Sequence, residues 1–197
     1  MNKVVSYITI WVIAILFLGC GGASGPKLPA NYYYEGSYID IHSPDSEGWY
    51  EAKKSTSQIV FLKDGNIPGE SYVARVVFFP LENTNTKEEF LNLIKNNETE
   101  NRNLERFTPI ESSFQLSEQR SYLCVMAKQL SKDKMAKTSS FGTEEQFMQV
   151  KSLFCKDPKS KGRGFMVGYS FRGFAVNKSF DDEANSFIDG VQFPKIH

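Results

Sequence analysis

The chain has 197 residues, 41% hydrophobic and 14% aromatic, and its 23 basic and 23 acidic side chains cancel at pH 7. That length suits one domain with a real core, and 16 Phe with 9 Tyr favour strands over disorder. The balanced charge excludes a strong electrostatic footprint for nucleic acid.

The amino-terminal stretch carries one charge, Lys3, then an apolar run at 8–18 (ITIWVIAILFL) broken only by Thr9, then Gly19-Cys20-Gly21-Gly22. The run is shorter than the about 20 residues that a membrane-spanning helix needs, and small residues follow it at once. Phe17-Leu18-Gly19-Cys20 resembles the lipobox of a bacterial lipoprotein signal peptide. The resemblance implies export, a lipid on the Cys20 thiol as the membrane contact, and cleavage just before it, leaving 178 residues from 20 onward. Gly21 stands where an Asp would resemble an inner-membrane retention signal, so the resemblance also implies outer-membrane attachment facing the periplasm. The alternative is an uncleaved amino-terminal anchor.

Residues 21–29 (GGASGPKLP) are small and lack periodicity, so 20–35 reads as a flexible tether and 36–197 as the single domain. Tyr32-Tyr33-Tyr34 suits either an interfacial contact with lipid headgroups or the first packing contacts of the domain. Alternation at 38–41 (YIDI) predicts a strand that turns at Ser43-Pro44-Asp45, and Trp49 beside Gly48 reads as a plug for one end of the core. A second strand at 58–63 (QIVFLK) meets the turn signal Asp64-Gly65-Asn66, and a third at 71–79 (SYVARVVFF) stops at Pro80.

Thr86-Lys87-Glu88-Glu89 fits a capping box, and Phe90, Leu93, Ile94 and Asn97 recur at helical spacing, so a helix is predicted over 86–99. Residues 101–109 read as irregular, and strands are predicted at 110–116, 122–130, 146–156 and 164–172. A last helix is predicted over 179–190: Ser179 caps it, Asp181, Asp182 and Glu183 favour its positive end, and Phe180, Ala184, Phe187, Ile188 and Val191 form one face. Gly190 ends it, with Gln192-Phe193 turning back to the sheet. The fold class is α+β, an antiparallel sheet packed by two helices.

With Cys20 lipidated, Cys124 and Cys155 remain as a pair in an oxidising compartment. If 122–130 and 146–156 pair antiparallel with numbers summing to 279, the two cysteines face each other and the turn centres on Ser139 and Ser140. In a non-hydrogen-bonded pair the Cβ atoms come within about 4.5–5.5 Å, near disulfide reach. The alternative, a redox or metal-binding pair, has no Cys-x-x-Cys and no nearby His to support it.

Candidates for chemistry are few. Asp40 and His42 share a strand face, with Asp45 and Glu47 nearby, which permits a metal or acid/base reading, although a polar strand end and turn also accounts for all four. No nucleophile elbow, phosphate loop or zinc motif occurs, so no catalytic residue, metal ligand or cofactor is assigned. Lys156, Lys159, Lys161 and Arg163 form a basic loop that suits an anionic lipid or acidic partner, or else a solvated turn.

Gly48-Trp49, the helix start Thr86 to Leu91, Cys124 and Cys155 with Pro158 beyond, Tyr169-Ser170-Phe171-Arg172 and the ending Phe187 to Phe193 together carry a family resemblance. They resemble uncharacterised bacterial lipoproteins with a PsbP-like or DcrB-like α/β sandwich domain. That resemblance implies an envelope location and a non-enzymatic binding or accessory role with an envelope protein as partner. The alternatives are a small hydrolase or metal-dependent enzyme around Asp40, His42 and Asp45, and a periplasmic small-ligand carrier.

Overall fold

The computed structural model describes residues 25–34, 40–134 and 145–191. In chain order the elements are β1 (Tyr33–Tyr34), β2 (Ile41–His42), β3 (Tyr50–Lys54), β4 (Gln58–Asp64), β5 (Ser71–Pro80), α1 (Lys87–Glu100), β6 (Phe107–Ser117), β7 (Cys124–Asp133), β8 (Gln146–Lys156), β9 (Arg163–Gly173) and α2 (Phe180–Gly190). Seven strands make one sheet in the order β3-β4-β5-β9-β8-β7-β6, every neighbour antiparallel, and β1 pairs with β2 apart from it. Two meanders, β3 to β5 and β6 to β9, are thus joined through α1 and closed by the β5–β9 pairing. The fold class is α+β, as the sequence predicts.

Each sheet face is buried by one helix, because strand side chains alternate between faces. On one face Phe180, Ala184, Phe187 and Ile188 of α2 pack with Trp49, Phe61, Phe165 and Tyr169. On the other, Phe90 and Ile94 of α1 pack with Val125, Ala127, Phe154 and Met166. The predicted capping box is present: Glu89 N donates to Thr86 Oγ1 at 3.0 Å, and Glu89 Oε2 accepts from Thr86 N at 3.4 Å. Ser179 occupies the cap position of α2 but makes no side-chain cap; its hydroxyl meets Asn177 Oδ1 and Glu183 instead.

The β7–β8 register has the predicted sum throughout, from Cys124 opposite Cys155 to Asp133 opposite Gln146. Both cysteines are buried and joined by a disulfide, with Cα atoms 4.1 Å apart. Lys156 N donates to Leu123 O at 3.0 Å, which makes that neighbouring pair the hydrogen-bonded one and leaves the cysteines on the closer-spaced positions.

Several boundaries differ from the sequence reading. β6 begins at Phe107, not 110, and so includes Pro109. A proline is tolerated there because β6 is an edge strand: Lys134 N bonds Arg106 O, so by alternation the position of Pro109 nitrogen is on the open side, next to a bulge between Pro109 and Glu111. β3 has no counterpart in the sequence reading, since YEAKK is charged and exposed, as an edge strand permits. Part of the stretch read as tether is packed: Lys27 bridges to Tyr50, Leu28 N donates to Trp49 O at 2.7 Å, and Tyr34 is buried while Tyr32 and Tyr33 are exposed. Packed chain therefore reaches back at least to Lys27, because Leu28 and Tyr34 have apolar surface to bury. The signal segment 1–19, Cys20, Tyr38 and Ile39, the turn at Ser139 and Ser140, and Gln192 onward lie outside the described residues.

Candidate binding sites

A cleft of about 240 Å³ lies between the β2 turn and the carboxyl end of α2, lined by Asn31, His42, Pro44, Asp45, Ser186, Phe187 and Gly190 among others. Two of the four residues considered for metal or acid/base chemistry, His42 and Asp45, do meet here, whereas Asp40 and Glu47 are not part of the lining. Both are tied to Asn31. His42 Nδ1 donates to the Asn31 carbonyl at 3.1 Å, and Asn31 Nδ2 donates to Asp45 Oδ1. Asn31 takes a φ of 54°, a left-handed conformation that Asn tolerates better than most residues. Ser43, buried beneath, accepts from Tyr32 N and donates to the Pro29 carbonyl. These polar atoms thus hold a turn together. Arg120 reaches the same end of α2 and donates to the Ile188 carbonyl at 2.8 Å, satisfying a terminal acceptor of the helix.

The basic loop is divided by its own contacts. Lys156 Nζ donates to the Thr84 carbonyl at 2.6 Å and lies over the Phe90 ring, while Arg163 Nε pairs with the buried carboxylate of Asp157 at 2.6 Å. Lys159 and Lys161 are exposed. Lys156 and Arg163 therefore fasten the loop, on which Lys159 and Lys161 are exposed.

A further polar group, absent from the sequence reading, lies on the α1 face of the sheet. Val60, Arg75, Gly168, Ser152 and Ala127 form one row across five strands. The next row holds Val73, Ser170, Val150, Gln129 and Ser112. Gln129 Nε2 donates to Glu98 Oε2 at 2.9 Å, and Arg102 Nη2 donates to Gln129 Oε1 at 3.1 Å and Ser112 Oγ at 3.0 Å. Burial pushes the Glu98 carboxyl above its usual range, against the pull of Arg75, Gln129 and Arg102. Burial likewise lowers the Arg75 guanidinium, opposed by Glu98. One signal was available: Arg75 is the sole charge in the run SYVARVVFF. At the far end of this face Arg106 grips the buried Asp133 with two bonds, at 2.9 and 2.7 Å. Among the described residues no group of three or more His, Cys, Asp and Glu is arranged to hold a metal ion.

No family model matches the chain, and no curated protein matches it in sequence. Among solved structures, the chain is similar to a protein of Bacteroides thetaiotaomicron VPI-5482 with a crystal structure at 1.50 Å resolution, at 14% identity and a TM-score of 0.44. That match covers 88% of this chain, which spans only 50% of the other. It is also similar to a point mutant of the protein Mog1, at 13% identity and a TM-score of 0.41, covering 78% of this chain and 89% of Mog1.

Proposed function

We propose that the chain is a lipid-anchored protein of the bacterial cell envelope, tethered through Cys20, whose PsbP-like domain acts as a non-enzymatic binding or accessory module for another envelope protein. The observation that carries the binding reading is the commitment of His42 and Asp45 to Asn31, which uses the acid/base-capable groups of the cleft to hold a turn. The buried Cys124–Cys155 disulfide supports export, because such bonds persist in oxidising compartments. His42 is exposed, and this weighs against an enzyme centred on Asp40, His42 and Asp45. Gly21 after Cys20, in place of the Asp of an inner-membrane retention signal, supports outer-membrane attachment facing the periplasm within this reading. Lys159 and Lys161 are the exposed cations for an acidic partner or headgroup.

A small-ligand carrier is the second reading, favoured by the cleft itself. At about 240 Å³ it lies below the about 300–1,000 Å³ of ordinary ligand pockets, so it suits only a small polar molecule. The deciding experiment is chemical crosslinking in intact cells, followed by mass spectrometry of what co-purifies, with Cys20→Ala as control. A recurrent envelope protein lost in the control is the expected result. No partner at any crosslinker length would overturn the accessory-module reading and favour the carrier.

A further inference from the structure

The two edges of the seven-stranded sheet differ in how they are protected. At the β3 edge Glu51, Lys53 and Lys54 are exposed, a bulge separates Glu51 from Lys53, and Lys27 bridges to Tyr50. Charges, bulges and covering chain are the usual means of keeping an open edge from pairing with another strand. At the β6 edge Pro109 and its bulge protect only the first residues, and from Ser112 to Ser117 (SSFQLS) there is no charged side chain.

Backbone alternation fixes which groups of β6 point outward. Because Lys156 N bonds Leu123 O across to β8, the backbone groups of Cys124, Met126 and Lys128 point to β6, opposite Ser117, Gln115 and Ser113. Ser112, Phe114 and Leu116 therefore turn their amides and carbonyls away from the sheet, and among the described residues nothing bonds them. Ser112, Ser113 and Gln115 are exposed, and Phe114 and Leu116 are half-buried.

A second copy of the same strand complements this edge. In an antiparallel pair centred on Phe114, that residue faces Phe114 of the second copy, and Ser112 faces Leu116. Each is a hydrogen-bonded pair that exchanges two bonds. Ser113 then faces Gln115, and Glu111, the one charge of β6, faces Ser117, so no like charges meet. Facing aromatic side chains add to such a pairing, and a two-fold axis through them makes the contact self-complementary and closed.

We propose that the open edge of β6 from Ser112 to Leu116 is a homodimer interface, at which two copies join their sheets by antiparallel β6 pairing centred on Phe114. An edge of this length buries less than a standard interface, so the dimer is weak and concentration-dependent. The inference goes beyond the accessory-module reading and does not rest on it.

The test uses the full chain in neutral detergent. Sedimentation at rising concentration should show a monomer–dimer equilibrium, weakened about tenfold or more in Ser112→Pro. That substitution removes an outward amide and so costs the ladder to β7 no bond; circular dichroism checks that the monomer stays folded. Register is read separately by mixing Ser113→Cys and Gln115→Cys chains under mild oxidation and mapping the linked peptides by mass spectrometry. The two positions form a non-hydrogen-bonded pair across the interface, near disulfide reach, so links from 113 to 115 should predominate. Random collision would give like and unlike links equally. A chain that stays monomeric up to millimolar concentration would overturn the proposal, as would random links or a dimer undiminished in Ser112→Pro. Links from 113 or 115 to a different protein in intact cells, with none between copies, would also overturn it and give the edge to a foreign strand.

Discussion

Lys151 shows how single residues bind helix to sheet. It is 4% exposed beneath α2, yet its ammonium meets Asp181 Oδ1 at 3.1 Å and also donates to Asn185. Lys128, from the adjacent strand, meets the same Asp181 oxygen at 3.0 Å. The hydrogen bond from Lys128, helped by Lys151 and opposed by burial, holds the Asp181 carboxyl below its usual range. The other charges nearest on α2 are Asp182 and Glu183, and the helix amino terminus itself favours the anion. Because the folded value lies below the unfolded one, near about 3.9, the stabilisation is complete above that pH and is lost as pH falls through the folded value. Asp181→Asn should therefore be less stable than the parent at pH 7, by about 1 kcal/mol or less since the Asp181 side chain is 57% exposed and screened. The gap should close between about pH 5 and pH 2, as urea unfolding over that range will show. A gap that stays constant with pH would mean the carboxylate charge is not what matters.

The two helices begin in physically different ways. Thr86 accepts from the Glu89 amide, so Thr86→Ala removes an acceptor that one of the four orphan amides needs and should cost about 1 kcal/mol. Ser179→Ala should cost less, because that hydroxyl serves Asn177 and Glu183 side chains. Urea midpoints of the two variants, compared side by side, test the contrast; equal losses would refute it. The capping pattern at Thr86 and the apolar spacing of Phe180, Ala184, Phe187 and Ile188 were readable because they repeat over a few residues. β3 was not readable, because its charged sequence carries no apolar alternation and its strand form comes from pairing with β4. Pro109 misled for a related reason: it reads as a break, and only its place on an open edge makes it compatible with β6.

Across the whole molecule the disulfide ties β7 to β8 within the buried core, a separation of 31 residues. Closing a loop of that length restricts the unfolded chain by about 3.7 kcal/mol in the chain-entropy model. The double variant Cys124→Ala with Cys155→Ala should lose stability of about that size, seen as a lower urea midpoint, and an unchanged midpoint would mean that the bond adds nothing to the native balance. The facing of these cysteines was legible from their numbers, since antiparallel pairing makes opposed positions sum to a constant. Helix starts, most strands and the α+β class were legible too, because caps and periodicities join residues close along the chain. The adjacency of β5 and β9 was not, for it pairs Ser71 with Arg172 and depends on which apolar faces the helices can bury together. Nor was the convergence of Arg75, Glu98 and Gln129, three residues far apart in sequence that share one patch only after the two meanders close. Local order follows from neighbouring side chains, whereas a site is made by distant ones, and packing alone decides which of those meet.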